Sequence, residues 1–230
     1  MKEAIIIFTR VPLPGKTKTR LQSMLSGYEC AEIHKNFLKD LKNTCEKMGR
    51  DIFIFHTPID KENIISGIFG EKHSYKLQEG RDLGEKMYNA IEYVLKNKYD
   101  SCILIGSDIP FLSIDDLQKA FDILKEKDIV LGPTVDKGYY LVGMKKPLKR
   151  IFENIEYGHG NVLDNTITSI KRENLTYGLT NTNRDIDAPD DLMHFYHLII
   201  EGKIDLNMNT SKFIKNIVEE QDKECLELTV

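Results

Sequence analysis

The sequence predicts an α/β protein with a doubly wound, mostly parallel sheet and one antiparallel excursion. Three observations carry that expectation. The run "AIIIF" (4–8) is wholly apolar, and "DIFIFHT" (51–57) and "SCILIGS" (101–107) have continuous apolar centres rich in isoleucine, as suits strands covered on both faces. Segments with helical periodicity separate them. After residue 128 the alternation stops, and "DIVLGPTVDKGYYLVGMK" (128–145) places two β-prone runs around a turn-like "DKG" with no room for a helix, which reads as an antiparallel hairpin.

The elements follow in order. Ile33, Phe37, Leu41 and Cys45 recur every four residues and give a helix over 27–48 one apolar face. Met87, Ala90, Ile91, Val94 and Leu95 do the same for 83–97. A third helix over 113–127 opens with Ser113 and Asp116 at capping-box spacing and continues with Leu117, Phe121 and Leu124. Strand and helix in alternation imply right-handed crossovers. Beyond the hairpin come a helix near 161–173, an edge strand near 175–179 and a helix near 188–201. The last is opened by "DAPDD", with Asp187 as candidate N-cap and Pro189 in the first turn. Residues 203–230 carry one weak amphipathic pattern (Phe213, Ile214, Ile217, Val218). The expected organisation is a nucleotide-binding domain over 1–202 with 203–230 as its C-terminal helical appendage.

A nucleic-acid binder needs a basic face, and a net charge of −4 over 230 residues gives no hint of one. The N-terminal apolar run is too short for a membrane span or a signal-peptide core. Cys30, Cys45, Cys102 and Cys225 lie far apart with no C-x-x-C spacing, which suits buried thiols in a reducing cytoplasm.

Ligands of parallel sheets bind beyond the carboxyl ends of the strands, so the loops after the first and third apolar runs come under scrutiny. The first, "FTRVPLPGKTKTRL" (8–21), holds Arg10, Lys16, Lys18 and Arg20 without one acid. Gly15 permits a tight turn, and a helix beginning over Thr17–Leu21 would aim its amides at an anion. The loop reads as a phosphate or diphosphate cradle. It is not a Walker loop, because Arg10 stands where that motif needs glycine. The second loop, "GSDIPFLS" (106–113), puts Asp108 at a strand's carboxyl end. A carboxylate there is costly unless it is paired or metal-bound, and Mg²⁺ would join it to a diphosphate. In "RDIDAPDD" (184–191), Asp185 and Asp187 alternate along an extended stretch, so one of them is a candidate second metal ligand. "EGRDLGEKM" (79–87) either borders a nucleobase or ribose or forms a tight helix entry.

With these motifs in hand, the chain resembles a bacterial family of assigned GT-A-type glycosyltransferases, members of which are associated with radical-SAM or selenodomain proteins or with arsenosugar biosynthesis. "FTRVPLPGKTKTRL", "GRDLGEKMYNA", "LIGSDIPFLSIDDL", "DIVLGPTVDKGYYLVGM" and "DIDAPDDL" occur in the family's order over roughly 2–200. A more distant similarity is to 2-phospholactate and molybdenum-cofactor guanylyltransferases, which share the nucleotide-diphospho-sugar transferase (GT-A) fold. The resemblance implies a nucleotide donor with Mg²⁺ or Mn²⁺. Lys16, Lys18 and Arg20 would hold phosphates, with Arg10, Gly15 and Ser107 beside them. Asp108 would be the metal ligand and Asp187 the late acid, with Lys16, Arg20 and Asp108 as the catalytic set. Gly80, Asp82 and Gly84 would border the nucleotide, and Lys137, Gly138 and Tyr139 would face the acceptor. Lys137 stands where the family usually has glycine, and "EYGHGNVLDNT" (156–166) departs from its usual segment, so the acceptor side is the part least carried over.

The function expected first is a metal-dependent glycosyl transfer from a nucleotide-diphospho-sugar to a small-molecule acceptor. The alternative is nucleotidyl transfer from a nucleoside triphosphate to a phosphorylated acceptor, and a non-catalytic nucleotide-sensing module is the alternative of another class. No membrane span or nucleic-acid partner is expected, and a homodimer is left open.

Overall fold

A computed structural model describes residues 1–158 and 160–227, with the side chains of 222 and 224–227 outside the description. Cys225 therefore lies outside the described side chains, while Cys30, Cys45 and Cys102 are buried free thiols. The chain runs β1 (Glu3–Arg10), α1 (Gly27–Lys47), β2 (Asp51–Thr57), α2 (Glu62–Phe69), β3 (Ser74–Leu77), α3 (Leu83–Lys96), β4 (Ser101–Gly106) and α4 (Ile114–Glu126). The second half adds β5 (Ile129–Pro133), β6 (Tyr139–Met144), α5 (Val162–Arg172), β7 (Tyr177–Leu179), α6 (Pro189–Ile200) and α7 (Asn209–Glu227).

The seven strands form one sheet in the order β3-β2-β1-β4-β6-β5-β7. All neighbours are parallel except around β6, which runs antiparallel to both β4 and β5. This is the mostly parallel, doubly wound sheet with an antiparallel excursion. Side chains alternate along the strands and so divide the core. Ile5 and Ile7, with Ile103 and Ile105, pack under α1, α2 and α4. Ala4, Ile6 and Phe8, with Cys102 and Leu104, pack under α3 and α5. Full burial on both faces explains why these strands read as continuous apolar runs.

Two elements, α2 and β3, have no counterpart in the sequence reading. β3 has exposed alternate residues and sits at the sheet edge, so it lacks the unbroken apolar run that marks the central strands. The N-cap of α6 is Ala188, not Asp187: the Asp191 carboxylate accepts from the amides of Ala188 (3.0 Å) and Asp187 (3.2 Å). That arrangement releases the Asp187 side chain for other contacts. The capping box at Ser113 and Asp116 is present as expected.

The segment after residue 202 is tied to the rest of the chain. The buried Asp40 carboxylate on α1 accepts from the amides of Asn209 (3.0 Å) and Thr210 (2.7 Å) at the start of α7. Ile214, Ile217 and Val218 of α7 join a third apolar cluster with Cys30, Ile33 and Phe37 of α1 and Leu192 and Phe195 of α6. A carboxylate satisfying helix-start amides and an apolar stripe over α1 together hold α7 in place.

Candidate active site

The sheet reverses its winding between β1 and β4, and crevices open at such switch points. Here the loops after β1 and β4 lie side by side above a cleft of about 610 Å³. Arg10, Lys16, Lys18, Arg20, Ser107, Asp108, Tyr139 and Asp187 all line it. Eight positions from the sequence reading thus meet in one place, drawn from four separated segments.

Their contacts differ. Lys18 takes a left-handed backbone conformation (φ 49°) and is buried. Its ammonium donates to the Ile186 carbonyl at 2.6 Å and contacts the Asp108 carboxylate at 2.5 Å, with Asp187 at 3.8 Å. It also stands over the Phe37 ring at 5.3 Å. Lys18 is therefore an internal tie between the two loops and the 184–191 segment rather than an open phosphate ligand. Arg20, by contrast, is largely exposed and donates to Asp187 at 2.6 Å. Among the described residues, Arg10 and Lys16 line the cleft with no salt bridge. The expected helix over Thr17–Leu21 is instead a 3-10 turn over Thr19–Ser23. The left-handed Lys18 prevents an α-helical start there, so the anion attraction of this loop comes from side-chain charge and not from a helix terminus.

Gly15 adopts φ +70°, the conformation only glycine takes without strain. Asp82 caps α3 by accepting from the Glu85 amide at 2.8 Å. Gly84 is required by packing, since a Cβ would lie 2.7 Å from the Phe152 carbonyl oxygen. Gly80, Asp82 and Gly84 do not line the cleft, nor do Lys137 and Gly138. Lys137 is exposed in a left-handed turn (φ 68°), which accounts for the family's glycine there. We expect Lys137→Val to cost about 1–2 kcal/mol and Lys137→Gly to cost nothing, as read from chemical denaturation midpoints.

The electrostatics divide the carboxylates. Burial would raise the Asp108 carboxyl, but the Lys18 ammonium and the Arg10 charge outweigh it and hold the group below its ordinary value. Asp185 goes the other way. Burial first, then the neighbouring Asp136 and Asp108 carboxylates, push it up to about 6 against the pull of Lys18. Of these acids only Asp108 lines the cleft, together with Asp187; Asp185 and Asp136 do not.

Several residues at the cleft were not singled out from the sequence, among them Gln78, Lys86 and His34. His34 of α1 is buried beneath both loops. Its Nδ1 is 2.6 Å from Thr17 Oγ1, and its Nε2 is 3.1 Å from Ser107 Oγ. Burial drops it to about 4, and Lys18 and Arg10 add to that against the pull of Asp108, so the ring is neutral near pH 7. Its only sequence signal was a polar residue three positions before Phe37 on the side of α1 that the structure buries, where Asn36 and Asp40 also lie.

Among the described residues, no group of three or more His, Cys, Asp or Glu side chains is arranged to hold a metal by itself. The donor set present is oxygen-only, Asp108 and Asp187 with Asp185 nearby. It suits Mg²⁺ or Mn²⁺ that take their remaining ligands from water and a bound phosphate. No helix among the described residues is long and apolar enough to cross a membrane.

Known proteins resemble this chain in sequence and in fold. The chain is 26% identical over 203 residues to the 2-phospho-L-lactate guanylyltransferase of Methanobrevibacter smithii, covering 87% of this chain and 84% of the relative. It is 27% identical over 179 residues to the protein of that name from Methanocaldococcus jannaschii, covering 76% and 75%. A Desulfovibrio desulfuricans G20 structure assigned as a nucleotide-diphospho-sugar transferase superposes with a TM-score of 0.89 at 28% identity, covering 96% of this chain and 98% of that one. A cytidylyltransferase from Leptospira borgpetersenii shares the fold, with a TM-score of 0.56 at 16% identity over 96% of both chains. The model of DUF2064, described as "Uncharacterized protein conserved in bacteria", matches residues 41–159. That match spans just over half of the chain, and the chain belongs to this family.

Proposed function

We propose that this protein is a nucleotidyltransferase that moves a nucleoside monophosphate from a nucleoside triphosphate, GTP in the first instance, to a small phosphorylated acceptor. The observation that carries the reading is the convergence of Arg10, Lys16 and Arg20 with Asp108 and Asp187 on the cleft between β1 and β4. The names of the Methanobrevibacter and Methanocaldococcus relatives move nucleotidyl transfer ahead of glycosyl transfer. Glycosyl transfer stays as the second reading because the Desulfovibrio structure, at 28% identity, is assigned to the nucleotide-diphospho-sugar transferases. The narrower link to radical-SAM or arsenosugar systems stays an expectation of the sequence resemblance.

In the proposed reaction an acceptor phosphate oxygen attacks the α-phosphorus. The bond from that phosphorus to the β-phosphate bridging oxygen breaks, and pyrophosphate leaves with the electron pair. Lys16 and Arg10 neutralise the triphosphate, and Arg20 can swing from Asp187 onto it, being exposed. Lys18 holds Asp108 in place from below. Mg²⁺ or Mn²⁺ held by Asp108 and Asp187 would supply charge neutralisation at the phosphates. Tyr139, in the cleft at the start of β6, borders the acceptor side.

Thermal-shift assays with GTP, CTP, UDP- and GDP-sugars, each with and without Mn²⁺, test this. Metal-dependent stabilisation by GTP without stabilisation by diphospho-sugars is expected. Stabilisation by a diphospho-sugar alone would transfer the case to glycosyl transfer. Stabilisation by GTP without release of pyrophosphate from it in the presence of any phosphorylated acceptor would favour the sensing module, and no stabilisation at all would sink all three readings.

A further inference from the structure

We propose that the buried His34 fixes the hydroxyl of Ser107 as a dedicated hydrogen-bond donor to an anionic phosphate oxygen in the cleft. The inference rests on the nucleotide reading above and adds a positioning residue to it.

The proton inventory around the ring decides the tautomer. Thr9 Oγ1 donates to the Arg10 carbonyl at 2.9 Å. Its one proton is thus committed, and it can only accept from His34 Nε2, 3.4 Å away. Nε2 therefore carries the ring proton, and Nδ1 is left bare to accept from the Thr17 hydroxyl at 2.6 Å. The Nε2 proton also faces Ser107 Oγ at 3.1 Å. Ser107 receives that bond and must send its own proton elsewhere. Among the described residues its hydroxyl has no other hydrogen-bond partner, and it lines the cleft.

A phosphate oxygen only accepts, so a hydroxyl locked as donor meets it without rearrangement, and a bond to a charged acceptor is the strong kind. Lys16 and Arg20 line the same cleft, which favours phosphate over a neutral group. His34 also joins the two loops that flank the cleft, since Thr17 belongs to the first and Ser107 to the second. A phenylalanine would fill the space and supply neither bond.

Nitrogen-15 NMR of the full chain with labelled histidine, at pH 7, reads the tautomer directly, with His34 assigned by its loss in His34→Gln. A protonated Nε2 and bare Nδ1 are expected, and the opposite tautomer or an imidazolium overturns the proposal. Calorimetric binding of GTP with Mg²⁺ reads the consequence. Ser107→Ala should weaken binding about 10- to 100-fold, the range for a hydrogen bond to a charged group. His34→Phe should weaken it similarly, and the double variant should be no worse than Ser107→Ala alone. His34→Gln, whose amide can donate to Ser107 and accept from Thr17, should retain most of the affinity. If His34→Phe fails to fold, Ser107→Ala and His34→Gln carry the test. Unchanged binding in Ser107→Ala, or additive losses in the double variant, overturns this inference alone. Absence of GTP binding by the wild-type chain overturns the nucleotide reading and the role of Ser107 with it.

Discussion

Asp108→Ala is expected to abolish metal-linked nucleotide binding and to lower any transferase activity by about 10² to 10³, the scale on which a single electrostatic contributor to a transition state acts. It is also expected to destabilise the fold, and the two effects have separate causes. The Asp108 side chain is half exposed at the cleft, yet its partner Lys18 is only 3% exposed. Removing the carboxylate leaves a buried ammonium with only the Ile186 carbonyl at 2.6 Å and the Asp187 carboxylate at 3.8 Å. Breaking such a pair from one side costs about 3–5 kcal/mol, whereas replacing both partners by apolar groups is often neutral. The double variant Asp108→Ala, Lys18→Met should therefore regain most of the lost stability and none of the metal-linked binding. Denaturation curves and thermal shift with GTP and Mn²⁺ check the two halves. Metal-dependent binding that survives Asp108→Ala would remove the ligand role, and a double variant no more stable than the single would remove the stranded-charge account.

This pairing also shows what the sequence disclosed and what it hid. The basic loop was legible because four cations without an acid, set after a buried strand, are costly unless they have a partner. Asp108 was legible for the same reason at the end of β4. Which cation would serve which anion was not legible. That assignment depends on the left-handed backbone at Lys18, which turns its side chain inward beneath Asp108. Nothing in "GKTKTR" separates Lys18 from Lys16. The segment 79–87 stayed ambiguous because glycines and an aspartate before a helix fit both a nucleotide border and a tight helix entry; the structure uses Asp82 as cap and Gly84 as packing surface, while Leu83, Lys86 and Met87 of the same segment line the cleft. His34 was hidden because a polar residue beside an apolar helix stripe has no meaning until Thr17 and Ser107 are folded against it. At the level of fold, the central strands announced themselves by burial on both faces, while edge strand β3 did not.

Buried titratable groups of opposite tendency should give this protein an unusual stability profile in metal-free buffer. His34 has an ordinary value of 6.5 and sits at about 4 when folded. Below 6.5 the unfolded chain takes up a proton that the folded chain refuses. The contribution of neutral His34 is thus present above 6.5 and is lost as pH falls toward 4, to a total of about 3 kcal/mol for a shift of this size. Asp185 rises from 3.8 to about 6. Between those values the folded chain keeps a proton that the unfolded chain releases. Its contribution is present below 3.8 and is lost as pH rises through 6. The two arms oppose each other over the same window, so the wild-type curve should be comparatively flat there. Each variant uncovers one arm. Relative to wild type, Asp185→Asn should lose stability steeply on acidification from 6.5 to 4. His34→Gln should gain stability over the same change, because only the Asp185 arm remains. Urea denaturation midpoints at half-unit pH steps measure both differences, and since other carboxylates are common to all three proteins they cancel. Parallel curves for the two variants would mean that neither group is held away from its ordinary protonation, and the electrostatic description of the cleft floor would fall with them.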